Sequence, residues 1–200
     1  MISAIILAAG ESRRMGKTKL ILDWQGKPIL QHVLDTLRDS PVDEVVLVLG
    51  HEAERIRGRI QAPGVKIVIN PDYREGMSTS LREGVLATDP SNEAFFVVLA
   101  DQPGINPKII DELVQNFRRA FPGKNIVVPV FKGRHGHPVL FGSKYRGEIL
   151  AIEGDVGGRE ILAKHPEEIL HVQMDTDAML VDIDTPEDYQ THLRSPASHK

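Results

Sequence analysis

The sequence predicts an α/β fold in three layers, a mostly parallel sheet with helices on both faces. Three observations carry that expectation. Short apolar, β-branched runs recur at residues 2–7, 44–49, 65–69, 95–99 and 126–130, each too brief for a helix and bounded by turn residues. Apolar residues at helical spacing fill 28–37, 52–60, 78–87 and 107–117. The two kinds of segment alternate, as in βαβ units whose sheet is covered on both sides.

Taken in order, the apolar opening 2–9 has no basic flank before it and leads straight into Glu11, Arg13 and Arg14. It therefore reads as a buried strand, not as a signal peptide or membrane span. The helix expected over 107–117 has Asn106 as its N-cap and Pro107 in its first turn, where a missing N–H costs nothing. After residue 130 the alternation loosens into a hairpin around 132–137, two glycine-rich turns, a last strand near 179–183 and a helix from Pro186. No repeat or long linker interrupts residues 1–194, which read as one domain; 195–200 read as a disordered tail.

Two hundred residues with 41% hydrophobic content suffice for one full-sized core. A net charge of −4 offers no basic field for a nucleic-acid backbone, so nucleic acid is not an expected partner. The absence of cysteine excludes disulfides, zinc–thiolate sites, iron–sulfur clusters and thiol nucleophiles. The expected location is the cytoplasm, with no membrane attachment.

The most informative stretch is the loop after the first strand. From Leu7 to Lys19 it combines Gly10 and Gly16, which let backbone approach a ligand, with the cations Arg13, Arg14, Lys17 and Lys19, which can neutralise a polyphosphate. Open α/β sheets bind ligands at such strand ends. The loop is not a Walker A motif: five residues separate Gly10 from Gly16 where that motif has four, and residues 20–24 read as extended before a turn at Gly26 and Pro28, not as an immediate helix. A G-x-G-x-x-G dinucleotide fingerprint is also missing. The alternative is a tight turn with solvated cations.

Further candidates follow along the chain. Asn70 and Pro71 lead into Gly76, Met77, Ser78, Thr79 and Ser80, with Ser78 placed as a helix-capping residue. Asp101 follows an apolar strand and precedes Gln102-Pro103-Gly104, leaving a carboxylate at a ligand edge. Asp182 and Asp184 stand two apart and would share a face if extended, although Asp184-Thr185-Pro186 also reads as a helix start. His135 and His137 invite a metal site but lack a third ligand, and a plain hairpin with polar tips explains them equally well. Residues 154–159 offer turn N–H groups and Arg159 to an anion, or simply end a helix. Trp24, Tyr73 and Met77 read as packing residues, and His51, His165 and His171 as surface or structural ones.

Leu7-Ala8-Ala9-Gly10-x-Ser12-x-Arg14-Met15-Gly16-x-x-Lys19-Leu20 is similar to the signature of nucleotidyltransferases with the Rossmann-like nucleotide-diphospho-sugar transferase fold. It resembles most closely the molybdenum cofactor cytidylyltransferases within the MobA-like NTP transferases. The resemblance implies that Leu7, Ala8, Ala9 and Gly10 face the base, that Arg14 and Lys19 contact the triphosphate, and that Asn70, Gly76, Ser78 and Ser80 line base and ribose. An Ala-Ala-Gly loop goes with CTP in that group and an Ala-Gly-Gly loop with GTP, so Ala9 points to cytidine. Asp101 is implied as a Mg²⁺ ligand with a second acid, Asp182 or Asp184, which the sequence leaves open. Arg134, His137, Asp155 and Arg159 are implied as acceptor contacts. Residues 1–130 would then form the nucleotide half and 131–194 the acceptor side.

The reaction implied is attack by an acceptor phosphate on the α-phosphorus of CTP, releasing pyrophosphate. A phosphate monoester with a second pKa of about 6 is largely a dianion at neutral pH, so no general base is needed. The acceptor implied is molybdopterin, with a molybdoenzyme or its chaperone as recipient of the product. Related enzymes use the same frame for sugar phosphates, choline phosphate or methylerythritol phosphate, and a GTP-using guanylyltransferase is a near alternative. Two other classes stay open: a P-loop-like phosphotransferase dependent on Lys17 and Thr18, and a non-catalytic nucleotide-binding or cofactor-delivery protein.

Overall fold

The computed structural model describes residues 1–154 and 156–194. One mixed sheet organises the chain. Its parallel centre is β1 (Ile2–Ala8), flanked by β4 (Glu44–Leu49) and β6 (Ala94–Leu99), with β5 (Lys66–Ile69) beyond β4. A two-residue hairpin, β2 (Asp23–Trp24) and β3 (Lys27–Pro28), stands apart. On the other side lie β7 (Ile126–Phe131), β8 (Arg134–His135), β9 (Val139–Gly142) and β10 (Ile169–Gln173), giving the order β10-β7-β9-β6-β1-β4-β5 with β8 paired to β7. Strands from both halves of the chain thus share one sheet.

Because side chains alternate across a strand, β1 feeds two cores. Ile2, Ala4 and Ile6 pack under α1 (Ile29–Arg38), α2 (Ala53–Arg57) and α4 (Pro107–Ala120), meeting Leu30, Val33, Ile56, Ile110 and Phe117. Ile5 faces the opposite layer, where Leu81 and Val85 of α3 (Met77–Ala87), Ile149 of α5 (Arg146–Leu150) and Ile161 of α6 (Arg159–Lys164) join Phe95 and Phe141. Each such fully buried side chain contributes about 1.5–3 kcal/mol of transfer free energy. Helices therefore cover both faces, as the alternating pattern predicts. Gly84 lets α3 close onto β1, since a Cβ there would run into the side chain of Ile5.

Local signals act where expected. Asn106 accepts the Ile109 N–H at 3.2 Å and caps α4, with Pro107 in its first turn. The β7–β8 hairpin turns on Lys132 (φ 49°) and Gly133 (φ 78°), a positive-φ pair that matches strand twist. No α-helix follows Thr18 directly; a single 3₁₀ turn, Lys19–Ile21, leads into the β2–β3 hairpin.

Three expectations are corrected. The final strand near 179–183 does not form: Ala178–Leu180 is a 3₁₀ turn, and the Ile183 N–H donates to the Asp101 carbonyl at 3.1 Å, fastening this segment to the end of β6 instead of to a sheet edge. β9 and β10 were missing from the expected strands; β9 inserts antiparallel between β6 and β7, a non-local pairing that local pattern does not announce. Ser78 is not a cap, since it lies inside α3 and its buried Oγ has no hydrogen-bond partner; Gly76 (φ 124°) begins the helix and Thr79 Oγ1 donates to its carbonyl. The helix from Pro186 does form, as α7 (Pro186–Arg194). The expected tail 195–200 lies outside the described residues. Among those described, no helix is long and apolar enough to cross a membrane.

Candidate active site

The carboxyl ends of β1 and β6 and the start of α3 border a cleft of about 690 Å³, at the sheet edge where ligands enter open α/β folds. The loop after β1 forms one wall. Its turn is closed by Met15 and Gly16 N–H groups donating to the Ser12 carbonyl, with positive φ at Ser12 and Gly16. Met15 is the loop's anchor, buried against Trp24, Ile29 and Ile183, so the neighbouring cations are left facing out.

At the floor, charges from three distant segments converge. Lys19 Nζ donates to Asp101 Oδ2 at 2.6 Å and to Asp184 Oδ1 at 2.7 Å, while Arg14 reaches Asp184 Oδ2 at 2.7 Å. Burial pulls the Lys19 ammonium down, but Asp101 and Asp184 outweigh it and hold the group above the usual lysine range. Asp182 is fixed differently: Gln102 Nε2 donates to its Oδ1 at 2.6 Å. Burial pushes the Asp182 carboxyl up, and the nearby Asp101 and Asp184 add to this against the opposing pull of Gln102 and Lys19.

Across the mouth, Glu11 accepts from Arg13 at 2.6 Å and from Arg74 at 3.0 Å, joining the two loops that flank the opening. These arginine contacts hold the Glu11 carboxyl below the ordinary range. Such exposed pairs contribute little stability, because water screens them, and yield readily to a ligand.

Of the residues nominated by sequence, Leu7, Ala9, Gly10, Arg14, Lys19, Gly76, Ser80, Asp101, Arg159, Asp182 and Asp184 all border this cleft. Ala8 turns into the core under α1. Asn70 lies behind the wall: its Nδ2 donates to Thr79 Oγ1 and Ser80 Oγ at 2.9 Å, and its Oδ1 accepts the Asp72 N–H. It shapes the loop before α3 and presents Ser80. Ser78 is buried and does not border the cleft. Arg134 is exposed on β8, away from the opening. His137 is half-buried; burial and then Arg159 lower its pKa, with Asp101 opposing, which sets it in the electrostatic field of the site. Asp155 lies outside the described residues.

His135 and His137 do not share a strand face. β8 ends at His135, whose ring meets that of His171 at 4.8 Å, and the chain then turns inward at Gly136, so that the His137 N–H reaches the Met179 carbonyl. Gly136 is required there: a Cβ would come within 2.7 Å of the Met179 carbonyl oxygen.

Sequence reasoning missed several wall residues. Tyr73 and Met77, read as packing residues, border the cleft, and Met77 is 43% exposed. Glu11 and Arg74 pair across 63 positions, a separation that leaves no local signal. Trp24 is buried as expected.

The acidic floor has the donors that a divalent cation takes. Lys19's ammonium already touches Asp101 and Asp184 together, so the two carboxylates stand close enough for one cation to bridge them. All their donors are oxygens, the chemistry of Mg²⁺ and Mn²⁺. Among the described residues no group of three or more His, Cys, Asp or Glu side chains is arranged to hold a metal alone. Mg²⁺ is commonly held by one or two carboxylates together with substrate phosphates.

The family model of the MobA-like NTP transferase domain matches residues 4–169. The nicotine blue oxidoreductase of Paenarthrobacter nicotinovorans is 28% identical over 195 residues, covering 93% of each chain. The molybdenum cofactor cytidylyltransferase of Escherichia coli K12 is 28% identical over 193 residues, covering 95% of this chain and 94% of that protein. Among solved structures, the Rv0371C protein of Mycobacterium tuberculosis H37Rv in complex with manganese superposes with a TM-score of 0.81 at 26% identity, covering 97% of this chain and 98% of its own.

Proposed function

Because this chain belongs to the MobA-like NTP transferase family and is a nucleotidyltransferase, we propose that it is a CTP:molybdopterin cytidylyltransferase, with residues 1–194 acting as one catalytic domain. The observation that carries the catalytic part is the meeting of Lys19, Arg14, Asp101 and Asp184 at the cleft floor. The similarity to the Escherichia coli cytidylyltransferase over nearly the whole chain supports the acceptor, and Ala9 at the cleft wall supports cytidine. No feature favours the P-loop reading, since Lys17 is exposed and does not border the cleft.

In this reading Leu7, Ala9 and Gly10 receive the base, while Gly76 and Ser80 line the sugar. Arg14 and Lys19 bind the triphosphate and stabilise the charge that develops as pyrophosphate leaves. Asp101 and Asp184 would hold Mg²⁺, which when bound polarises the phosphates; Asp182, which accepts from Gln102, borders the cleft beside them. The manganese complex of the Rv0371C protein favours a divalent cation here. Arg159 borders the cleft and would offer a bidentate donor to the acceptor phosphate, with His137 within its electrostatic reach. The loops align the attacking phosphate with the α-phosphorus, and the reaction needs no covalent nucleophile.

The test is pyrophosphate release measured for four nucleoside triphosphates against molybdopterin and a set of sugar phosphates. Release with CTP and molybdopterin above all other pairs supports the assignment. Preference for GTP or a sugar phosphate moves the chain to another branch of the family. No pyrophosphate release with any pair, together with reduction of nicotine blue at the expense of an added hydride donor, would favour the reaction named for the Paenarthrobacter relative.

A further inference from the structure

The proposed roles of Lys19 and Arg14 conflict with where those side chains lie. Both are to bind a triphosphate, yet both are engaged with carboxylates: Lys19 with Asp101 and Asp184, Arg14 with Asp184. Likewise Asp101 and Asp184 are to hold a cation, yet an ammonium already bridges them. Among these four side chains the charges balance, with Asp182 beside them as a further carboxylate that accepts from Gln102. Neither ligand alone preserves that balance. A dication taken by the carboxylates would leave the Lys19 ammonium, only 12% exposed, beside like charge without a partner. A triphosphate that drew Lys19 away would leave two carboxylates facing each other and the phosphates.

We propose that Lys19 is the internal counter-ion of the Asp101–Asp184 pair, so that nucleotide and divalent metal enter by exchange of partners and each binds tightly only with the other. The inference rests on the reading that Asp101 and Asp184 hold the metal. Lys19 swings from the carboxylates to the triphosphate, and the carboxylates are released to the cation, so neither the ammonium nor the carboxylate pair is left without an opposite charge. The coupling is reciprocal by thermodynamic necessity. Arg14 takes part more weakly, because its side chain is 71% exposed and water already screens it. The practical consequence is a site with low affinity for free metal ions in the cell and high affinity for the metal–nucleotide complex.

The experiment measures Mn²⁺ binding to the nucleotide-free protein by the electron paramagnetic resonance of unbound Mn²⁺. Lys19→Met is expected to bind Mn²⁺ tighter than the wild type by about tenfold or more, and Arg14→Met by about threefold. Adding Asp101→Asn to Lys19→Met should remove the gain. If Lys19→Met proves poorly folded by circular dichroism, Arg14→Met on its exposed site carries the test. Folded variants with unchanged Mn²⁺ affinity overturn the exchange; the metal reading would survive if Asp101→Asn still abolished metal-dependent pyrophosphate release. A gain in Lys19→Met that persists with Asp101→Asn overturns both, because the metal would then sit elsewhere.

Discussion

Lys19 Nζ lies 2.6 Å from Asp101 Oδ2, joining the end of the loop after β1 to the end of β6 across 82 positions of sequence. The contact unites what local reading found as two separate features, a cationic loop and an acidic strand end. Asp184 completes it from the far end of the chain.

The same loop carries cations that should not be equivalent. Arg14 borders the cleft and touches Asp184, whereas Lys17 is exposed outside it. Arg14→Ala is expected to lower kcat/KM for the nucleotide by about 10- to 100-fold, or roughly 1.4–2.7 kcal/mol. Lys17→Ala should stay within about twofold of the wild type. Steady-state kinetics of the two variants check this, and a larger loss in Lys17→Ala would restore the P-loop reading.

Ala9 is 5% exposed at the cleft wall, and its carbonyl accepts the His51 N–H at 3.1 Å. The backbone there is held in place, so removing the methyl group should change pocket size more than loop position. Ala9→Gly is expected to reduce the preference for CTP over GTP by about tenfold, the worth of one methyl group in a tight pocket. Competition between the two nucleotides measures it, and unchanged selectivity would place base recognition elsewhere.

Gly136 faces the Met179 carbonyl, and no Cβ fits between them. Gly136→Ala is expected to destabilise the fold by about 1–3 kcal/mol, lowering the thermal midpoint by roughly 2–10 °C. Because the same contact supports the turn that leads to Asp182 and Asp184, activity should fall further than stability accounts for. Calorimetry together with kinetics below the transition tests both parts.

Burial and Arg159 lower the His137 pKa from its ordinary 6.5, despite the opposing pull of Asp101. The unfolded chain therefore binds this proton more readily than the folded one. Stability from this group is present above pH 6.5 and is lost as pH falls through the lower folded value. His137→Gln should flatten that part of the stability profile on the acid side. Chemical denaturation from pH 7.5 to 5 is the measurement, and an unaltered slope would contradict it.

How far sequence reaches can be judged from particular residues. The alternation of strands and helices, the Asn106 cap and the Lys132–Gly133 turn are local devices, and the chain states them locally. So is the loop from Leu7 to Lys19, whose glycines and cations stand within one short stretch of sequence. Which of Asp182 and Asp184 meets Lys19 is not a local matter: Lys19 donates to Asp184, while Gln102 donates to Asp182 and the Ile183 N–H ties the segment to Asp101. The place of β9 between β6 and β7 likewise depends on a partner strand far away in sequence. Asn70 shows the reverse case, a motif residue that serves the site through the loop it ties and not by facing the cleft.

The most direct test is pyrophosphate release from CTP with molybdopterin and Mg²⁺, compared between the wild type and Asp101→Ala. The account predicts release that requires both the acceptor and the metal and falls by about 100-fold or more in a variant that remains folded. Full activity in Asp101→Ala, or release that needs neither acceptor nor metal, would contradict it.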